Sequence, residues 1–186
     1  MVLIFLLYLV VAQLMAPFSV YAVEMVKISE HQLGLLYMLN GLMVVALQLP
    51  VTKLLSRYKL TMQLAIGAFI YALGYGMVGI LAGFNFFVLA MIVITTGEIF
   101  MSPPALTLTS NLAPEGRIGR YMGIYGFAVA SGWSFGPLYG GVILDYFGDK
   151  PQIAWMIISS LGIISGVGYL LFSRKLPKEY NIRQES

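Results

Sequence analysis

The sequence predicts an all-α, polytopic membrane protein built from six transmembrane helices. Three observations carry that prediction. Of the 186 residues, 59% are hydrophobic and 10% are charged, against roughly 45–50% and about 25% in an ordinary soluble domain. The charges fall in short clusters between long apolar runs, which is the pattern of a chain whose solvent is lipid. Those runs lack the two-residue alternation of a membrane β-barrel, and a helix satisfies its backbone groups within the segment, so helices are the expected spanning elements.

The first apolar stretch covers residues 2–22. It is too long for a secretory signal, has no charged leader and is interrupted by Gln13 and Pro17, so a retained helix is expected. The second stretch covers residues 32–54 and the third 60–82, separated by a short basic loop. The fourth, 84–108, carries the one acidic residue inside a span, and the fifth, 121–144, is rich in glycine. The sixth covers 153–172 and runs into a basic tail. Each is long enough to cross about 30 Å of hydrocarbon. Together they are expected to form a single domain with no linker, low-complexity tract or soluble appendage.

The basic residues set the orientation. Lys53, Arg57, Lys59, Arg117, Arg120, Arg174, Lys175, Lys178 and Arg183 fall on one side, whereas Lys27 and Lys150 alone fall on the other. Positive charge is retained on the cytoplasmic side, so an integral plasma or inner-membrane protein with both termini in the cytoplasm is expected. The same topology accounts for the net charge of +3 without nucleic acid. The sequence has no cysteine and a single histidine, His31, which excludes disulfides, thiolate metal sites and a multi-histidine site. No metal or cofactor is expected.

Polar groups inside spans are the candidate functional residues. Glu98, in Thr95-Thr96-Gly97-Glu98-Ile99, lies near the middle of the fourth span, where a charged side chain costs about 2.5–3.5 kcal/mol on insertion scales. It should therefore face the bundle interior or a water-filled cavity. Two readings stand: a proton-coupling or substrate-contacting group, or a carboxyl that only locks two helices together. Gln13 and Asn40 suit a cavity wall as well as interhelical glue, and Tyr8, Tyr21 and Tyr37 are candidates to join them. Gln48, nearer the cytoplasmic end, suits packing. Pro17, Pro50, Pro103, Pro104 and Pro137 free backbone carbonyls. The Pro103-Pro104 pair, one turn beyond Glu98, makes the fourth span a candidate discontinuous helix; a static kink is the plainer reading of any single proline.

In the fifth span Gly132, Gly136 and Gly140 recur every four residues, a smooth stripe suited to close helix contact, whether fixed or sliding. Two motif matches are set aside. Gly132-Trp133-Ser134-Phe135-Gly136 fits a nucleophile elbow but lies within a span, far from His31. Gly74-Tyr75-Gly76-Met77-Val78-Gly79 fits a dinucleotide fingerprint without a preceding strand. A membrane enzyme is accordingly the last-ranked reading.

These residues resemble the major facilitator superfamily, and within it the proton-coupled drug efflux type. Gly132, Gly136, Pro137, Gly140 and Gly141 look like the antiporter motif of a fifth helix. Residues 113–120 with Gly123 look like the segment leading into that helix, and Lys53, Arg57 and Lys59 occupy the loop where the family places a cytoplasmic gate. The resemblance implies a half bundle of the major facilitator type. The loop lacks the glycine and acid of a first half, the fourth span lacks an arginine, and no leader precedes Met1, so the second half, helices seven to twelve, is expected. It further implies half of a secondary transporter exporting small, partly apolar compounds by alternating access. Glu98 would titrate or contact substrate, Gln13 and Asn40 would line the cavity, and Lys53, Arg57, Arg117 and Arg120 would form cytoplasmic gate contacts. The implied partners are the bilayer, a small-molecule substrate, protons, and a complementary six-helix half or a second copy. A non-transporting membrane interaction protein, or a truncated product, is the alternative.

Overall fold

The computed structural model describes residues 1–80 and 82–183; Leu81, at the end of the third expected span, lies outside the described residues. The elements are α1 (Val2–Val11), a 3-10 turn (Ala12–Leu14), α2 (Ala16–Val20), a π-helical turn (Tyr21–Met25), α3 (Glu30–Leu55), α4 (Leu60–Ile80), α5 (Phe84–Asn111), α6 (Ile118–Tyr146), α7 (Pro151–Lys175) and a short 3-10 helix (Lys178–Asn181). Six helical stretches are long and apolar enough to cross a membrane, the first running from Val2 to Met25.

Local sequence explains where the helices begin and end. Ser29 caps α3 reciprocally: its Oγ accepts from Gln32 N at 3.2 Å while its own N–H donates to Gln32 Oε1 at 3.0 Å. This is the Ser-x-x-Gln capping box. Gly83 at φ 97° and Gly116 at φ 72° turn the chain just before α5 and shortly before α6, in backbone conformations that side chains disfavour. Pro151 opens α7 at its first turn, where the missing N–H has no helical partner to lose.

Helix α4 is the centre of one packed layer, held between α5 and α7. The contacts are close because small residues line them. A Cβ on Gly67 would come within 2.9 Å of Gly97 O, and one on Gly162 within 2.8 Å of Ala68 O. Gly79, within the motif resembling a dinucleotide fingerprint, packs on Trp155, where a Cβ would meet that side chain at 2.6 Å. An aromatic core joins the layer to the first span: Tyr75 stacks on Trp155 at 5.8 Å, Tyr21 meets Trp155 edge-on at 5.4 Å, and Phe18 lies 5.3 Å from Phe87. By contrast α3 packs mainly on α5, and Leu36 is its one fully buried residue among those described.

The discontinuity lies in the first span, not in the fourth-span candidate. Helix α5 runs unbroken through Pro103 and Pro104, whereas the first span breaks at Ala12–Leu14, just before Pro17. The reason is local. Pro103 cannot donate to Ile99 O, but Gln48 Nε2 on α3 supplies that donor at 3.1 Å, so α5 keeps its course. At the break in the first span, carbonyls are served by Tyr37 of α3 and by Ser19 of α2. The Tyr37 hydroxyl donates to Leu14 O at 2.6 Å, and Ser19 Oγ donates its proton either to Tyr37 Oη or to Met15 O, each 2.6 Å away.

The basic tail is tied down. Asn181, 1% exposed, accepts from Thr61 N at 2.9 Å and donates to Thr61 Oγ1 at 2.9 Å, so it serves an otherwise unpaired donor in the first turn of α4. Asn111 at the end of α5 donates to Tyr180 O and Ile182 O. Removing a buried partner of this kind costs about 1–3 kcal/mol. Asn181→Ala should lower unfolding stability by that amount and speed trypsin cleavage of the tail; unchanged stability and cleavage would show the pair to be incidental.

Candidate functional site

The cluster around Glu98 is assembled from α3 and α5. Thr95 and Glu98 are three residues apart on α5 and so project from neighbouring positions on one face. Asn40, near the middle of α3, reaches both: its Nδ2 donates to Thr95 Oγ1 at 3.0 Å and to Glu98 Oε2 at 3.0 Å. Thr95 is fully buried, while Asn40 and Glu98 are half-buried. One carboxyl oxygen, Oε2, thus accepts from an amide, and the residue keeps part of its surface exposed. The hydroxyl of Tyr8 on α1 pairs with that of Tyr125 on α6 at 2.9 Å. Both tyrosines are half-buried. Two polar pairings thus lie inside the bundle, one joining α3 to α5 and the other α1 to α6; the first holds a carboxyl that can exchange a proton or meet a polar ligand group.

Gln13 is not in that cluster. It is fully buried in the 3-10 turn, where its Nε2 donates to Leu9 O at 2.8 Å and to Gly136 O at 2.9 Å. The expected cavity wall is, for this residue, an internal joint. The glycine stripe of α6 forms the other side of it. Gly132 lies on Tyr8 and Leu9, Gly136 on Ala12, and Gly140 on Gln13 and Pro17, each so closely that a Cβ would collide. Gly141 has nothing near its Cβ direction, and Pro137 is half-buried. The stripe therefore packs on the broken segment of the first span within this bundle. Tyr21 sits in the aromatic core, and Tyr37 serves the break. Lys53, Arg57, Arg117 and Arg120 are all exposed near the helix ends.

Sequence reasoning passed over Thr95 and Tyr125. Thr95 carried a signal, its spacing of three from Glu98 on a helix. Tyr125 carried none, because its role depends on a partner 117 residues away. Among the described residues no three His, Cys, Asp or Glu side chains converge as metal ligands would.

Tyr37→Phe removes the donor at Leu14 O and is expected to loosen the break, at a cost of about 1 kcal/mol. Faster amide exchange confined to residues 12–19 is the expected readout, and unaltered exchange there would contradict it.

An all-helical bundle of six apolar spans with a half-buried polar cluster at mid-span defines an integral membrane protein of the transporter-bundle class. The chain belongs to the Major Facilitator Superfamily, whose family model matches residues 1–186. It is 29% identical over 155 residues to the MFS-type transporter YttB of Bacillus subtilis, covering 82% of this chain and 38% of the relative. It is 25% identical over 159 residues to the multidrug resistance protein MdtH of Aeromonas hydrophila, covering 84% and 40%. A Na(+), Li(+), K(+)/H(+) antiporter of Planococcus maritimus is 26% identical over 148 residues, covering 76% and 32%. In fold the chain is similar to a bacterial homologue of the lysosomal transporter Spinster, with a TM-score of 0.76 at 18% identity, covering 99% of this chain and 43% of that one. The chain thus spans about 40% of the length of the relatives it matches.

Proposed function

We propose that the chain acts as one half of a proton-coupled secondary transporter, exporting small, partly apolar compounds by alternating access against a complementary six-helix half. The observation that carries this reading is the half-buried Glu98, whose carboxyl oxygen Oε2 accepts from Asn40. A carboxyl at this depth is costly unless it is used or fully paired, and here a single amide holds one of its oxygens. The names of two relatives, a multidrug resistance protein and a cation/proton antiporter, support export and proton coupling.

In this reading Glu98 takes up and releases the coupling proton, Asn40 orients it, and Tyr8 and Tyr125 border the substrate path. Gln13 acts through the joint with α6 rather than by touching substrate. Lys53, Arg57, Arg117 and Arg120 lie on the cytoplasmic side, with both termini, and contact the other half there. A complementary half supplies the rest of the cavity and something to rock against, and it covers part of α3, of whose most apolar window only 6% is buried.

The test is reconstitution. Proteoliposomes holding the chain with a complementary six-helix half, with an acidic lumen, should accumulate ethidium until the proton gradient is collapsed, whereas the chain alone should not. No gradient-driven uptake with the second half present would favour the non-transporting interaction protein.

A further inference from the structure

Helix α3 is joined to the bundle in an unusual way. It is 26 residues long, yet Leu36 is its one fully buried residue among those described. Its polar ties are side-chain hydrogen bonds at three levels: Tyr37 to the carbonyls of the broken span, Asn40 to Thr95 and Glu98, and Gln48 to Ile99 O. Lipid tails are as apolar as its exposed leucines, valine and methionine, so close packing and interhelical hydrogen bonds, rather than water exclusion, hold α3 on α5. Leu33, Leu36 and Leu39 pack on the core near its N-terminal half, and the polar ties add to that packing along the helix. Two of the three end on groups that never change charge. The middle one ends on a carboxyl.

The geometry points to Asn40 as a positioning residue that passes the protonation state of Glu98 to α3, so that α3 docks against α5 when the carboxyl is charged and loosens when it is neutral. This rests on the reading of Glu98 as the proton carrier. A hydrogen bond to an ionised acceptor is roughly twice as strong as one between neutral groups. Neutralising Glu98 therefore weakens the central polar tie between α3 and α5. Because Asn40 is also bonded to the buried Thr95 hydroxyl, its amide stays aimed at the carboxyl rather than turning away. The titratable groups on the surrounding elements are phenols: Tyr71, whose ring packs on Gly97, and Tyr75 on α4, Tyr8 on α1 paired with Tyr125 on α6, and Tyr37 one turn from Asn40 on α3. Phenols ordinarily titrate near pH 10, about 10 on the reference scale, beyond the range in which a carboxyl does. Glu30 and His31 stand at the far end of α3.

The sequence contains no cysteine, so spin labels can be placed without background. Val45→Cys on α3 and Leu106→Cys on α5 are 82% and 50% exposed and leave the cluster untouched. With the doubly labelled chain in liposomes, the label distance should lengthen and broaden as pH falls, and amide exchange over residues 36–48 should rise several-fold. Glu98→Gln and Asn40→Leu should each abolish that pH dependence, whereas Gln48→Leu, which cuts a tie to a neutral carbonyl, should loosen α3 at every pH and keep the dependence. If Asn40→Leu does not fold, Asn40→Ser, too short to reach the carboxyl, replaces it. A distance unchanged by pH in the otherwise unaltered chain, or a full pH response in the Asn40 variant, overturns the proposal. If Glu98→Gln stops export while α3 never responds to pH, the reading of Glu98 survives and this one fails. If α3 responds but Glu98→Gln exports normally, the proton-carrier reading fails and only the helix switch remains.

Discussion

Glu98→Gln should abolish proton-driven export while leaving the bundle folded. Glutamine has nearly the same shape, and its amide oxygen can accept the Asn40 Nδ2 bond that Glu98 Oε2 accepts at 3.0 Å. What it cannot do is gain or lose a proton. Ethidium accumulation driven by a pH gradient should therefore fall to background, with helix content and yield unchanged. Substrate exchange without a gradient should persist, since the cavity wall keeps its shape. Glu98→Asp should retain weak coupling, because it keeps the acid but draws it back by one methylene from Asn40. Gradient-driven export at an undiminished rate in Glu98→Gln would remove the carboxyl from the mechanism and leave it a helix lock.

The second large effect concerns stability. Gly140→Ala should destabilise the bundle, because the added Cβ would collide with the buried Gln13 amide oxygen and with the Pro17 ring. Neither can retreat easily: Gln13 is fixed by its bonds to Leu9 O and Gly136 O, and a proline ring has no rotamer to move to. Overpacking of this kind costs about 1–3 kcal/mol, with a larger side chain such as leucine costing more. Gly141→Ala, one residue on, meets nothing within 4 Å and should be neutral or slightly stabilising, since alanine favours a helix over glycine by about 1 kcal/mol. Unfolding in mixed micelles compares the two directly. Equal stabilities would mean that the stripe does not bear on the broken span.

The class of fold was legible because it follows from composition: apolar runs of spanning length leave helices as the economical answer. Much of the site was also legible. Glu98 and Asn40 stood out as polar groups inside spans, and they meet. What the sequence left open was partnership. Gln13 and Asn40 looked alike as strongly polar residues in the first two spans, yet one is sealed in a joint and the other faces the carboxyl. The difference depends on which helix lies opposite, a fact that no local pattern carries. The prolines left a related question open. A proline announces a freed carbonyl but not whether another helix supplies the donor. Gln48 does so for Ile99 and keeps α5 whole, while Tyr37 and Ser19 serve the carbonyls at the break in the first span.

The most direct test of the central claim is proton release on substrate addition, measured in weakly buffered suspension with the chain and its complementary half. Ethidium should release protons from the unaltered assembly and none from the Glu98→Gln assembly, although both bind the dye. Equal proton release from the two assemblies would contradict the assignment of Glu98 as the coupling group.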